Sequence, residues 1–120
     1  MDIVFSSDML HKITFDVMCR KMRPLDDGNL AFAYLISLDY DTRNHVKDIY
    51  DFDTDSIYKA ALSYSWQTEK SLKVTKLAIA LRGDCIGDPA DYLPLELFDS
   101  EYLPYFLEAI KLRFNRLYLR

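Results

Sequence analysis

The sequence predicts an all-α protein: a compact bundle of five or six helices around a buried central helix at about residues 70–82, with a long C-terminal helix. The central helix is indicated by four apolar residues at the i, i+3, i+4 and i+7 spacing of a helix face: Val74, Leu77, Ala78 and Leu81. Thr68 can cap its start, and Gly83 supplies the left-handed residue that commonly ends a helix. A second apolar face at helical spacing, near the C-terminus, completes the prediction of this fold class.

The chain has the size and composition of one globular domain, which we place over residues 1–120. Half of its residues are hydrophobic and 28% are charged, so it can bury a core and is unlike a disordered chain. Its formal net charge of −4 disfavours direct nucleic-acid binding, which needs surplus Lys and Arg to displace phosphate counterions. The start MDIVFSSDML is unlike a signal peptide, and no apolar run approaches membrane-spanning length, so we expect a cytoplasmic protein. Cys19 and Cys85 would stay reduced there and act as small hydrophobic residues.

The first helix should begin at Ser6 or Ser7, which are good N-cap residues, and should end before Pro24. Its inward face is predicted from helical spacing, with Met18 as a further candidate beside Leu10, Ile13 and Val17. Residues 25–29 are then expected to form a turn or loop, because a proline precedes paired acids and a Gly-Asn dipeptide.

Residues 30–38 are apolar on every side, and their alanines and leucines favour a helix, although so short a run leaves a strand open. A short helix is expected at about residues 41–50, followed by a turn at residues 51–55. One or two further helical turns are suggested by the spacing of Ile57, Ala60, Ala61 and Tyr64. Residues 84–91 contain Gly87 and Pro89 and should form the longest loop.

Two prolines near the C-terminus stand where the first position of a helix tolerates the missing N–H. Pro94 should open a single helical turn with the sequence PLELF, and Pro104 should open a long helix over residues 103–117. The apolar face of that helix is predicted to consist of Leu103, Phe106, Leu107, Ile110, Phe114 and Leu117. It should pack across the central helix.

Three alternating aspartates resemble the first half of a calcium-binding loop: Asp51, Asp53 and Asp55. The second half of the calcium-loop motif is absent, because Ser56 occupies the position where the sharp turn requires glycine and Leu62 occupies the position where a bidentate glutamate is required. His11 and His45 are the only histidines, too few for a metal site without other ligands, and we expect His45 to lie at the surface. We therefore predict no metal site.

The sequence also lacks the local motifs of common enzyme sites. No GxSxG motif surrounds a serine, neither cysteine has an adjacent base, and the three glycines are too dispersed for a phosphate-binding loop. We therefore expect a protein that is not an enzyme and has no cofactor. A small hydrolase remains a third alternative, because the fold could bring distant carboxylates such as Glu96 and Asp48 together.

Charge is distributed unevenly along the chain. Residues 39–55 hold six aspartates against Arg43 and Lys47, and residues 84–101 hold six acids against no base. The last helix, in contrast, carries Lys111, Arg113, Arg116 and Arg120. Such segregation can arise from solubility alone, or the acids can form a surface that engages a basic protein groove. Tyrosines could instead anchor an interface. The candidate partner-binding residues are Asp39, Asp41, Asp48, Asp51, Asp53, Asp55, Glu96, Asp99, Glu101, Tyr102 and Tyr105.

Three ordered blocks carry a resemblance to a known family: IYDF at residues 49–52, WQT followed by SLKVTKLAIALRG at residues 66–83, and ELFDSEYLPYFLEAIKLRF at residues 96–114. Together they resemble a family of short uncharacterised proteins, a domain of unknown function, carried by prophages and other mobile elements of Gram-positive bacteria. The resemblance implies a genomic setting in which small acidic proteins often disarm host defence by binding a protein.

Two classes of function follow from these observations. The first is a non-enzymatic protein-binding inhibitor from a mobile element, such as an anti-CRISPR protein that presents its acids to a basic surface of a host CRISPR effector nuclease. The second is a structural or regulatory interaction module whose partner docks on aromatic residues at about residues 92–105.

Overall fold

A computed structural model describes residues 3–114 of the chain. Over these residues it has seven α-helices: α1 (Met9–Lys21), α2 (Asp27–Leu38), α3 (Tyr40–Asn44), α4 (Val46–Ile49), α5 (Glu69–Arg82), α6 (Pro94–Phe98) and α7 (Leu103–Arg113). An antiparallel hairpin of β1 (Tyr50–Asp51) and β2 (Ser56–Ile57) lies between α4 and α5, and a 3₁₀ turn (Pro89–Tyr92) precedes α6. The predicted all-α class is confirmed, with seven described helices rather than five or six. No helix in this range is long and apolar enough to cross a membrane.

Helix α2 lies at the centre of the bundle, where it packs against α1, α5 and α7. Ten of its twelve residues are buried, which confirms the helical alternative for this apolar stretch. Helix α5, which the sequence indicated as the central helix, begins and ends where predicted but buries only one side. The difference has a simple cause: residues 30–38 contain no charge, whereas α5 carries Lys70, Lys73 and Lys76, which need contact with water.

The start of α2 corrects the predicted loop at residues 25–29. Asp26 caps the helix, because its carboxylate accepts a hydrogen bond of 2.8 Å from the Asn29 N–H. Gly28 is already inside the helix, and a Cβ at this position would lie 3.3 Å from the Cα of Arg82. The glycine therefore allows α2 and α5 to approach each other closely.

Helix α1 begins later than predicted, and a different set of its residues faces the core. Its cap is Asp8, which accepts from the Leu10 N–H at 3.0 Å, rather than Ser6 or Ser7. Leu10 and Ile13 are each 50% exposed, and Val17 is half-buried. Of the predicted face only Met18 is buried, and it shares the core side of α1 with His11 and Phe15. The apolar pattern was misleading because a histidine occupies a core position.

His11 can be buried because both of its ring nitrogens have partners. The Ser6 N–H donates to Nδ1 at 3.1 Å, and Nε2–H donates to the carbonyl oxygen of Tyr34 at 2.9 Å. These two bonds select the neutral tautomer protonated at Nε2. Burial lowers the pKa of His11, although the bond to the Tyr34 carbonyl acts in the opposite direction. The neutral imidazole thus holds the N-terminal segment on the core.

This arrangement predicts that acid weakens the fold before most carboxylates titrate. The unfolded chain protonates His11 near pH 6.5, whereas the folded chain resists protonation, so the free energy of unfolding should fall as the pH drops below about 6.5. The slope should not exceed about 1.4 kcal/mol per pH unit. Urea unfolding across this range measures it. His45→Asn should retain the slope and His11→Asn should lose it; equal slopes in the two variants would contradict this role of His11.

Of three predictions for the middle of the chain, two are corrected by the structure and one is confirmed. The single helix expected at residues 41–50 is interrupted at His45, which ends α3 and precedes α4. The turn at residues 51–55 is confirmed as the turn of the hairpin, where Asp51 pairs with Ser56. The helical turns expected between Ile57 and Tyr64 are absent from the described structure, which has β2 followed by hydrogen-bonded turns. Apolar spacing over so few residues does not distinguish a helix from successive turns.

The C-terminal helices begin as predicted, with Pro94 in the first turn of α6 and Pro104 in the first turn of α7. On α7 the buried residues are Phe106, Ala109 and Leu112, whereas Leu103 and Leu107 are exposed. The inward face is therefore rotated from the predicted one, because the small Ala109 sits against the core. The predicted extension to Leu117 lies outside the described residues.

Candidate protein-binding site

Asp39 and Tyr102, both candidate surface residues, instead bond to each other. Asp39 is buried, caps α3 through the N–H groups of Asp41 and Thr42, and accepts from the Tyr102 hydroxyl at 2.9 Å. Burial, together with the nearby Asp39 carboxylate, raises the pKa of Tyr102 to about 12. Tyr105 is half-buried, with its ring 6.3 Å from that of His11 in an edge-on contact. Both tyrosines therefore have contacts within the fold, and their role in binding a partner stays a prediction.

Asp55 is also bonded within the fold, although its side chain is 29% exposed. Its carboxylate accepts from Tyr50 at 2.6 Å, Asn29 at 3.0 Å and Arg82 at 2.9 Å. Burial would raise the pKa of Asp55, but these hydrogen bonds and the charge of Arg82 outweigh it and lower the pKa. Asp84 contacts the same guanidinium at 2.8 Å. This group of residues connects the hairpin to α2 and α5, and it removes Asp55 from both the acidic surface and the calcium-loop interpretation.

The other acids of the first segment lie in different surroundings. Asp53 is exposed, and its N–H donates to Asp51 at 2.9 Å, which is the main cause of the lowered pKa of Asp51. Asp48 accepts from the indole N–H of Trp66 at 3.1 Å. Asp41 is half-buried, at the start of α3. We call Asp51 and Asp53 the hairpin acids: Asp51 is the half-buried last residue of β1, and Asp53 is exposed on the turn that follows it.

His45 and Cys85 differ from their predicted surroundings, whereas Cys19 packs against the core as a small hydrophobic residue. His45 is half-buried and stacks on Trp66, with ring centroids 4.2 Å apart. Cys19 is half-buried, and burial raises the pKa of its thiol to about 11, whereas Cys85 is exposed rather than packed as a small hydrophobic residue. Within residues 3–114, no three His, Cys, Asp or Glu side chains are grouped to hold a metal ion.

The second acidic segment packs along the outer side of α5, where it meets lysines. Lys70 forms an ion pair with Glu101, and its ammonium group lies 4.5 Å from the centre of the Tyr102 ring. Lys73 donates to the carbonyl oxygen of Asp99 and lies 3.7 Å from Glu69. This surface is therefore mixed in charge rather than acidic. The spacing of the lysines along α5 was visible in the sequence, but their position opposite the acids depends on tertiary packing.

Between α5 and the segment at residues 84–101 runs an open groove, which we call the α5 groove. It consists of two adjoining cavities of about 650 Å³ and 320 Å³ that share Leu72, Lys76 and Asp91. The first cavity is also lined by Lys59, Leu62, Ser63, Cys85, Ile86 and Gly87. The second is also lined by Glu69, Lys73, Glu96, Leu97 and Asp99. Two of the predicted site residues, Glu96 and Asp99, thus line the groove, and Glu101 lies beside it in a smaller hollow.

The chemistry of the α5 groove is that of an apolar floor with charged sides. Leu72 is half-buried and Leu97 is buried, so they provide the floor of the second cavity. Lys76 and Asp91 flank the place where the two cavities meet, and neither forms an ion pair with another described residue. Most of the residues around the first cavity are exposed, so a small ligand would keep much of its surface in water.

These features define a small helical protein with an open, charge-lined groove on its surface. A family model described as a family of unknown function (DUF6075) matches residues 1–119, so the chain belongs to that family. Neither a curated protein nor a solved structure matches the chain. The expectation of an uncharacterised family is confirmed, and the match extends over the first forty residues, where the sequence blocks gave no signal.

Proposed function

We propose that the protein is a non-enzymatic binding module that holds a partner protein in its α5 groove. The observation that carries this proposal is a pair of opposite charges, Lys76 and Asp91, which line both cavities together with Leu72 and form no ion pair with another described residue. Charged groups around a desolvated apolar centre are the usual anatomy of a protein interface. The interpretation as an acidic surface alone is less favoured, because lysines of α5 lie among the acids of the second segment.

The shape and the surroundings of the groove also favour a polypeptide ligand. Binding sites for small molecules generally enclose most of the ligand, whereas this groove is open along its length. The segment that forms one side of it also carries Leu93 and Leu95, which are 52% and 89% exposed. A partner larger than the groove would be able to cover these two leucines as well. The hydrolase alternative is weaker, because Asp48 is bonded to Trp66 while Glu96 lines the groove.

The setting implied by the sequence resemblance suggests what the partner does. If the gene belongs to a prophage or another mobile element, the partner would be a protein of host defence in the cytoplasm, such as a CRISPR effector nuclease. The module would then act by covering a functional surface of that protein. The genes that neighbour this one would support or remove this part of the proposal.

Charge reversal in the groove provides the test. The tagged full chain is first used to purify its partner from a host lysate. Lys76→Glu or Asp91→Lys should then lower the affinity for this partner at least about tenfold, equivalent to about 1.4 kcal/mol. The matched control is Lys111→Glu, an exposed charge reversal on α7. Isothermal titration with the captured partner measures the affinities, and thermal melting verifies that each variant folds. Equal affinity of all three variants would exclude the groove as the binding site.

A second candidate is electrostatic docking of the hairpin acids on a basic surface, favoured by the exposure of Asp53 at the hairpin turn. In that case Asp51→Lys combined with Asp53→Lys should lower the association rate constant about tenfold and reduce its dependence on salt. Stopped-flow association with the captured partner at low and physiological ionic strength measures both effects. Association that is indifferent to this double reversal, and to salt, would contradict the second candidate and leave the groove.

A further inference from the structure

The α5 groove is not uniform in charge, and its polarity specifies a ligand. The first cavity is lined by two lysines, Lys59 and Lys76, against one acid, Asp91. The second cavity is lined by four acids against Lys73 and Lys76, the acids being Glu69, Asp91, Glu96 and Asp99. One end of the groove is therefore positive and the other is negative, with Leu72 between them.

The charges that remain for a ligand are those without a partner in the fold. Lys73 is held by Glu69 and by the carbonyl oxygen of Asp99, so it contributes little to the charge offered in the second cavity. Lys59, Lys76, Asp91, Glu96 and Asp99 form no ion pair with another described residue. Lys76 and Asp91 line both cavities, so the available charges that distinguish the two cavities are Lys59 in the first and Glu96 and Asp99 in the second.

We infer that the groove recognises a short polypeptide segment in which an apolar side chain stands between an acidic and a basic residue. The acidic residue pairs with Lys59 in the first cavity, the apolar side chain rests on Leu72, and the basic residue pairs with Glu96 and Asp99 in the second cavity. This inference rests on the proposed function and specifies the chemistry of the partner at the same site. A segment with its acidic residue at the first cavity and its basic residue at the second meets opposite charge at both ends. A uniformly acidic or uniformly basic segment would meet like charge at one end.

A displayed library of random heptapeptides, selected on the immobilised full chain, tests the inference without knowledge of the natural partner. The wild type should enrich peptides in which an acid and a base flank an apolar residue within three to five consecutive positions. The double variant Lys59→Glu and Lys76→Glu makes both cavities acidic, so it should instead enrich peptides with bases on both sides. Lys12→Glu combined with Lys111→Glu changes the net charge equally outside the groove and should enrich the wild-type pattern.

The possible results separate the inference from the proposed function. Synthetic copies of the enriched peptides should bind the groove variant at least tenfold more weakly than the wild type in fluorescence polarisation. If the enriched peptides lose affinity for Leu72→Arg but carry no charge pattern, the polarity inference is wrong and the groove remains a binding site. If no peptide is enriched above the uncoated surface, or if the peptides bind Leu72→Arg and the wild type equally, the polarity inference and the proposed function of the groove are both wrong. Thermal melting of each variant establishes that it is folded before selection.

Discussion

Replacing Phe32 with alanine should lower the free energy of unfolding by about 3 to 5 kcal/mol, the usual cost of removing a buried aromatic side chain. Phe32 is fully buried in α2, and its ring lies 5.4 Å from that of Tyr50 and 5.7 Å from the guanidinium carbon of Arg82. The cavity could not collapse easily, because α2 is enclosed by three other long helices. A domain of this size has only about 5 to 15 kcal/mol of stability, so urea unfolding should reveal a large decrease in the midpoint.

The matched control is Tyr40→Ala, which removes an aromatic ring that is 68% exposed at the start of α3. A surface substitution of this kind usually changes stability by less than about 0.5 kcal/mol. If Phe32→Ala and Tyr40→Ala shifted the urea midpoint equally, α2 could not be the centre of the core.

Replacing Asp55 with asparagine should cost about 2 to 3 kcal/mol, which is less than the loss of a partner from a fully buried ion pair. The substitution preserves the shape of the side chain but removes the charge that faces Arg82. Two features moderate the effect: the Asp55 side chain is 29% exposed, and Asp84 remains on the guanidinium. Asp53→Asn is the matched control, since Asp53 is exposed on the same turn and should contribute little.

The pH dependence gives an independent measurement of the same interaction. Because the pKa of Asp55 is lowered in the folded chain, its stabilisation is present above the pKa of an unfolded aspartate, about 3.9, and is lost as the pH falls through the folded pKa. The difference in stability between the wild type and Asp55→Asn should therefore narrow on acidification below about pH 4. A difference that stays constant to pH 2 would mean that Asp55 is not held as a carboxylate by its neighbours.

Features determined by neighbours in sequence could be predicted well. Helix α5 begins with a capping box in which Thr68 and Ser71 exchange hydrogen bonds, and it ends at Gly83 with a φ of 95°. Both prolines that were expected to open helices do so. These signals are local, because caps and prolines act on backbone groups within one helical turn.

Features that depend on distant residues could not be predicted in this way. From the sequence alone, Asp39 and Asp55 cannot be distinguished from an exposed acid such as Asp53. The partner of Asp39, Tyr102, is 63 positions away, and the partner of Asp55, Arg82, is 27 positions away. The prediction of the inward face of α1 was wrong for a related reason. A histidine can be buried in the core only if groups from other segments form hydrogen bonds with both of its ring nitrogens. Two acids of the groove, Glu96 and Asp99, were identified from the sequence. The polarity of the groove was not, because it arises only when residues 84–101 lie against the lysines of α5.

The enclosure of α2 has a consequence for hydrogen exchange. Water reaches the amide protons of α2 only when the surrounding helices separate, so these protons should exchange through unfolding of the whole molecule. The segment at residues 84–101 has only short helices and many exposed residues, so its amides should exchange through local opening at a much lower free-energy cost. One side of the α5 groove can therefore rearrange around a bound segment while the amides of α2 remain protected.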